Sequence, residues 1–218
     1  MQISNETIQV LKNFATINSN ILIRKGKTLS TISTAKNIFA KATVAEDFPE
    51  EVAIYDLNSL LALLTLMENQ NIEFGEKSLT ISKDNGKFEY FYSSPNVIVA
   101  APDKSIDIDN HYQFKLTADQ VNMIIKAAAI TGAPTISVSS KDKTVTLTVG
   151  DKKNDTANTY KKTIGTSEND FECHMAVENF KIVPDAYTIT VSKKKVFHFK
   201  HETKDLEYFI AMEPNSVV

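Results

Sequence analysis

The residues that could do covalent or metal chemistry are few and poorly spaced. Cys173 and His174 are neighbours in a segment of strand character. Successive side chains on a strand point to opposite faces, so the two make a poor thiolate–imidazole pair, and a buried structural cysteine is the better reading. His198 and His201 stand three apart in an extended segment, again on opposite faces, and the four histidines show no metal-site spacing. Asp103, Asp107 and Asp109 lack the central glycine and terminal glutamate of a calcium loop and read as a solvated linker. Glu50-Glu51 and Asp170 with Glu172 are carboxylate pairs of a kind that any acidic surface offers. The 6 glycines form neither a P-loop nor a G-x-G-x-x-G turn. The expectation is a protein without catalytic site, metal or cofactor.

The basic residues stand out by position. Lys12 falls on the polar side of a predicted first helix, away from Ile8 and Leu11. Lys126 does the same on a later helix, in line with Asp119 and Asn122, and Lys181 falls on a predicted last helix. Arg24, Lys25 and Lys27 come after the first helix, and Lys141 and Lys143 after the later one. Two readings compete. The helix lysines complement the macrodipole, with Glu6, Asp119 and Glu178 preceding them, or they face a polyanion.

Elements to position these residues are legible in outline. The chain has 218 residues, 42% of them apolar, which is enough for one large domain or two small ones and excludes wholesale disorder. The longest strongly apolar run, Leu60 to Met67, is far short of a membrane span, and Met1 to Val10 lacks the features of a signal peptide. A single cysteine rules out an internal disulfide and suggests a reducing, cytosolic setting. Net charge is −3. Residues 1–110 carry 10 Lys+Arg against 14 Asp+Glu, and residues 111–218 carry 14 against 13, so nothing global announces a nucleic-acid binder.

Ser4 or Asn5 caps a helix to about Phe14. Strands are expected at Asn20–Lys25 and Thr28–Ser33, with Gly26 in a hairpin turn between them, and at Ile38–Thr43 and Val52–Tyr55. Asp56 caps a second helix to about Glu68. Three strands come next, near Ile72–Phe74, Ser78–Ser82 and Lys87–Tyr92. Ser93–Asn110 reads as a connector enclosing a short strand, Val97–Ala100. The order then repeats: a strand at His111–Lys115, and a helix from the capping box of Thr117 and Gln120 to about Thr131. Further strands are expected at Thr135–Ser139, Thr144–Gly150, about Thr156–Thr163 and Phe171–Ala176. A short helix, Val177–Val183, is stopped by Pro184, and three strands end the chain: Tyr187–Ser192, Val196–Lys200 and Leu206–Met212. Phe88-Glu89-Tyr90-Phe91 and Leu206-Glu207-Tyr208-Phe209 occupy corresponding strands. The pattern is a tandem duplication, 1–110 and 111–218 with the connector at about 93–110, and an α+β fold with the helices on one side of each half's sheets.

Two runs are specific: Leu11-Lys12-Asn13-Phe14-Ala15-Thr16-Ile17-Asn18 and Val52-Ala53-Ile54-Tyr55-Asp56-Leu57-Asn58. Through them, and through Met175–Tyr187 near the end, the chain resembles the sliding clamps of T-even-like bacteriophages, the processivity factors of the phage DNA polymerase. The resemblance implies the DNA clamp fold, two similar domains of antiparallel sheets with two helices each on the inner side. It implies a non-catalytic homotrimeric ring in the cytoplasm of the infected host. An ATP-dependent clamp loader opens the ring onto double-stranded DNA, and the ring tethers the DNA polymerase and also serves late-transcription factors. Four helices per chain would suit three copies: helices about 10 Å thick and about 8–10 Å apart leave a hole of roughly 20–30 Å when twelve line it, and only about 10–15 Å when eight do.

In that frame Lys12, Lys126, Lys181 and Arg24 are the candidate DNA-facing residues, meeting phosphates without reading bases. Val97, Ile98 and Val99 of one copy, with Tyr160 and Lys162 of the next, are the candidate subunit interface, as free sheet edges. Ile106, Ile108, Met212 and Pro214 are loose candidates for partner docking. A β-rich phage structural protein without a DNA role, and a small hydrolase with a site split between the halves, are the alternatives.

Overall fold

A computed structural model describes residues 1–67, 69–103, 106–154 and 156–218. The chain divides into two compact units, Met1–Lys104 and Ser105–Val218.

In the first unit α1 spans Asn5–Ile17. The Ser4 hydroxyl accepts from Thr7 N at 3.2 Å and caps it. Its apolar face buries Ile8, Leu11 and Phe14. α2, Leu57–Leu66, starts from Asp56, whose carboxylate accepts from Ser59 N at 3.0 Å, and buries Leu57, Leu60, Leu61 and Leu64. The expected end of this helix, Glu68, lies outside the described residues. β1 (Ile21–Ile23) pairs antiparallel with β4 (Val52–Ile54), while β2 (Gly26–Ile32) pairs with β3 (Ile38–Phe48). The expected β1–β2 hairpin is therefore not a ladder. Gly26 takes φ +108° at a register shift, where the chain turns from one sheet into another. β5 (Asn71–Phe74), β6 (Ser78–Lys83) and β7 (Gly86–Phe91) form a meander with β7 at its edge.

The second unit begins its regular structure with β8 (Tyr112–Leu116). α3 (Ala118–Thr131) has the expected capping box and ends at Gly132 in the left-handed conformation. β9 (Thr135–Lys141), β10 (Thr144–Gly150), β11 (Tyr160–Thr166) and β12 (Phe171–Ala176) form a sheet in the order β11-β10-β9-β12. β13 (Tyr187–Ser192), β14 (Val196–His201) and β15 (Leu206–Ala211) pair with β8 in the order β15-β14-β13-β8. The core holds Val121, Ile124, Val145, Leu147, Cys173, Tyr187, Phe197, Phe199 and Tyr208. Gly165 in β11 has φ +155°, and a Cβ there would strike the Tyr112 hydroxyl. Apart from β8, which has no counterpart in the first unit, and α2, which has only a short turn as its counterpart in the second, the element order repeats: helix, four strands with the first paired to the fourth, then a three-strand meander in each unit.

Three expectations are corrected. The last helix is only a three-residue 3-10 turn, Val177–Asn179. β12 runs up to Ala176 and Pro184 bars continuation, while Phe180 turns inward onto Phe199, with ring centroids 5.8 Å apart. The second unit thus has one α-helix among its described residues, not two, and the count of twelve helices around a hole does not apply. The strand at Thr156–Thr163 starts later, at Tyr160, because the Asn154 carboxamide draws Thr156 into a turn by accepting from its N at 3.1 Å and its hydroxyl at 2.8 Å.

Val97–Ala100 is not a strand either. Pro95–Val97 forms a 3-10 turn, and side chains hold the residues after it. Asn20 Oδ1 accepts from Val99 N at 3.1 Å, Asn18 Nδ2 donates to Val99 O at 3.2 Å and Arg24 Nη2 donates to Ala101 O at 2.8 Å. Asn18 also donates to Ile32 O at 2.8 Å from a buried position. Replacing Asn18 with Ala leaves those carbonyls unpaired and should cost about 1–3 kcal/mol in urea unfolding.

The start of α1 is tied down by Glu46 of β3, whose carboxylate accepts from the Thr7 hydroxyl and from Ser4 N. Burial opposes ionisation, but these bonds win and hold the carboxyl below its ordinary range. A carboxyl depressed in the fold stabilises above its unfolded pKa, and that contribution disappears as pH falls through the folded value. Glu46→Gln should therefore lose on the order of 1 kcal/mol near neutrality, with the gap to the parent in urea melts narrowing as pH falls below the ordinary glutamate range.

Candidate nucleic-acid interface and partner groove

On the exposed side of the first unit's helices, α1 shows Gln9, Lys12 and Thr16, and α2 shows Asn58, Ser59, Ala62, Thr65 and Leu66. Lys12, Asn58, Thr65 and Leu66 line an open trough of about 760 Å³ together with Lys83. Lys83 ends β6, just before the Asp84-Asn85-Gly86 turn, and was not among the expected cations. Its sequence signal is only that of a hairpin flank. In the second unit α3 exposes Asp119, Met123, Lys126 and Ile130 at helical spacing, with Ile130 85% exposed.

Among the described residues none of Lys12, Lys83 and Lys126 is in an ion pair. Nor is Lys12 or Lys126 in the last turn of its helix, where a cation would meet the macrodipole. The dipole effect falls off within that turn, so helix electrostatics do not account for these two lysines. The other two expected cations are placed differently. Arg24 is committed to Ala101 O and to Glu51 at 3.8 Å, and Lys181 is half-buried outside any helix.

The sheet borders have unequal fates. β12 is covered by the C-terminal segment: Glu172 and Val217 exchange two backbone bonds of 2.8 Å, Glu213 N donates to His174 O at 2.8 Å and Ser216 Oγ accepts from His174 N at 3.0 Å. Among the described residues β7 bonds only β6, and β11 only β10. Of the expected interface residues, Tyr160 and Lys162 lie on the bare β11. Ile98 is packed against Leu22 and Ala53, Val99 is pinned, and only Val97 is exposed. In the first unit β7 is one such border, with Phe91 67% exposed.

Ile106 and Ile108 come together over the outer face of β13, β14 and β15. There they wall a groove of about 360 Å³ with Thr190, His198, Lys200, Glu207 and Phe209. Met212 is buried, and Pro214 lies in the segment covering β12, its carbonyl accepting from Lys195 Nζ at 3.1 Å. Neither is among the groove's lining residues. The expected acidic linker is solvated at Asp103 and Asp107, which are exposed, but Asp107 and Asp109 are also hydrogen-bonded to the β13–β14 turn.

A hydrolytic reading has one geometric temptation. The Ser137 hydroxyl is 2.8 Å from His174 Nδ1, and Glu172 is 3.4 Å from Nε2. Both Ser137 and His174 are buried, and the Lys152 ammonium sits on Nε2. Burial first, and then Lys152, hold the imidazole pKa below its usual range. Cys173 faces the other way, with burial and then the Glu172 charge pushing its thiol up to about 12. No reactive thiolate forms there.

This arrangement of helices and antiparallel sheets is the fold of the DNA sliding clamps. The chain superposes with a TM-score of 0.70 on the proliferating cell nuclear antigen of Thermococcus kodakaraensis, at 14% identity and over 97% of this chain and 98% of that one. It matches the DNA polymerase III β subunit of Pseudomonas aeruginosa with a TM-score of 0.70 at 13% identity, over 97% of this chain and 64% of that one. In sequence, residues 4–100 match the family of DNA polymerase processivity factors. The sliding clamp of Vibrio phage KVP40 is 29% identical, covering 98% of this chain and 99% of its own, and that of Escherichia phage RB69 is 28% identical, covering 99% and 98%. Over nearly its whole length the chain is thus similar in sequence to the sliding clamps of T4-like phages, that of Enterobacteria phage T4 among them at 27% identity.

If Lys12 and Lys126 are there for a ligand and not for the helix, then Lys12→Ala and Lys126→Ala should each change the urea midpoint by less than the equivalent of about 0.3 kcal/mol, the lower bound of a dipole contribution. A loss of about 1 kcal/mol at either site would restore the dipole explanation.

Proposed function

We propose that three copies of the chain close head to tail into a ring around duplex DNA and hold the replicative DNA polymerase on its template, without catalysis of their own. The single observation that carries this is the pair of mid-helix lysines, Lys12 and Lys126, without carboxylate partners among the described residues on helix faces that are otherwise mostly polar-neutral or apolar. Such cations meet phosphates, release counterions and read no sequence. The exposed carboxamides of Gln9 and Asn58 add neutral donors, which suits a ring that must slide. An ATP-dependent loader opens the ring, the groove beneath Ile106 and Ile108 receives the polymerase, and late-transcription factors use the same groove in the host cytoplasm.

Ring closure is supported by two of the sheets' border strands, β7 and β11. Tyr208 and Phe209 of β15 are buried, whereas Phe88 and Phe91 of β7, in the corresponding Phe-Glu-Tyr-Phe run, are exposed. A strand of that composition left open invites another chain, and β11 of the next copy offers the complementary edge. Head-to-tail pairing of β7 with β11 closes into a ring and needs no second interface. A β-rich structural protein would have no use for unpaired lysines on its helices.

The decisive test is loader-dependent processivity on primed circles at two salt concentrations, with light scattering in parallel. The Lys12→Glu/Lys126→Glu trimer turns six positive charges on the ring into six negative ones, with about 0.9 of a unit of salt slope at stake per phosphate no longer neutralised. It should load poorly and show a flattened salt dependence. An intact variant trimer that performs like the parent at both salts would remove these residues from the DNA path. Phe91→Asp should shift the scattering mass from trimer to monomer, and an unchanged trimer would sink β7 as the seam.

A further inference from the structure

The connector is fastened to the second unit by its acidic residues. Asp109 Oδ1 accepts from the Ser192 hydroxyl at 2.6 Å, and Oδ2 accepts from Lys193 N at 3.0 Å. Lys194 Nζ donates to Asp107 O at 2.9 Å and to Asp107 Oδ2 at 2.8 Å. His111 N donates to Val191 O at 3.0 Å, so the stretch from Asp107 to His111 is bonded to the β13–β14 hairpin at three residues. In an extended segment alternate residues share a side. With Asp107 and Asp109 turned to the hairpin, Ile106 and Ile108 are turned to the groove, opposite Phe209 and His198. His198 stacks on Phe209 with ring centroids 4.5 Å apart, and its Nε2 is 2.7 Å from Glu207. Lys200 stands opposite Glu207 in the strand register, yet Glu207 is turned to His198 and Lys200 is in no ion pair among the described residues.

We propose that Asp109, clasped by Ser192 and Lys193, is a positioning residue for partner binding: it fixes Ile106 and Ile108 as a pre-formed wall, and the slot behind them accepts an apolar partner segment that brings a carboxylate to Lys200. This rests on the reading of the groove as the polymerase-docking site. The connector's ordering entropy is then settled in the free clamp and not charged against each docking event. Asp109 acts through the isoleucines and does not touch the partner. The hydrogen bonds to the Ser192 hydroxyl and Lys193 N hold its carboxyl below the usual range.

The test titrates the phage's DNA polymerase against the loaded full-length clamp and reads the polymerase concentration giving half-maximal product length. Asp109→Ala and Ser192→Ala should each raise it about tenfold. The double variant should be no worse than Asp109→Ala alone, because the Asp109–Ser192 bond that Ser192→Ala removes is already gone with Asp109, and the plateau at saturating polymerase should keep its height. Lys200→Glu should raise the half-saturating concentration as well. The chain has no tryptophan, so Ile106→Trp gives a single reporter, and its quenching by acrylamide should increase when Asp109→Ala is added. Ile108→Asp separates the two levels of the proposal. If it weakens docking while Asp109→Ala and Ser192→Ala do not, the groove stands and the positioning role is overturned. If Ile108→Asp has no effect in a folded trimer, the groove reading fails and the positioning role fails with it.

Discussion

Every strand at the border of a sheet leaves a row of N–H and C=O groups that must find partners or face water. The distinctive features of this chain stem largely from how each border is treated. β12 is covered by the segment Glu213–Val217, down to a paired bridge at Glu172 and Val217. The stretch Val97–Ala101 is held by Asn18, Asn20 and Arg24 instead of by a ladder. β7 and β11 are left open among the described residues. In the proposed ring, β7 and β11 are the borders that a neighbouring copy completes.

The same economy governs charge. Several exposed carboxylates and ammonium groups elsewhere on the chain are matched: Lys115 with Glu202, Lys143 with Glu168, Lys194 with Asp107. Surface pairs of this kind contribute little to stability, but they leave no strong local field. Lys12, Lys83 and Lys126 are among the lysines in no ion pair within the described residues, and they lie on or beside helix faces whose other groups are mostly amides, hydroxyls and aliphatic carbons. Sparse cations among neutral donors give weak, sequence-blind attraction to phosphate, in line with the sliding proposed for the ring.

The duplication supplies a control within one chain. β7 and β15 carry nearly the same letters, Phe-Glu-Tyr-Phe and Leu-Glu-Tyr-Phe, in the same place of the same meander. Phe209 is buried while its counterpart Phe91 is 67% exposed. Near-identical propensity with opposite burial shows that environment, not local sequence, sets the role of the strand. The second helical element of each unit makes the same point. α2 has ten residues with four buried leucines, whereas its counterpart Val177–Asn179 is one 3-10 turn, because Pro184 and the inward turn of Phe180 leave no room for a second.

The sequence by itself determined the alternation of helices and strands, both helix caps with polar side chains in the first unit, the capping box at Thr117, the buried stripes of α1, α2 and α3, and the twofold repeat. These are local or periodic signals, and the hydrophobic effect reads them directly. It also singled out Lys12 and Lys126 and the isoleucines at 106 and 108. Only the tertiary structure decided which of those were available. It put Arg24 onto Ala101, buried Met212, brought Lys83 into the trough with Lys12 and tied Asp107 and Asp109 to a hairpin more than eighty residues away. Hydrogen bonds between residues so far apart depend on where two segments meet. No window of sequence carries that information, because the partner of a polar side chain is set by the packing of the apolar ones around it.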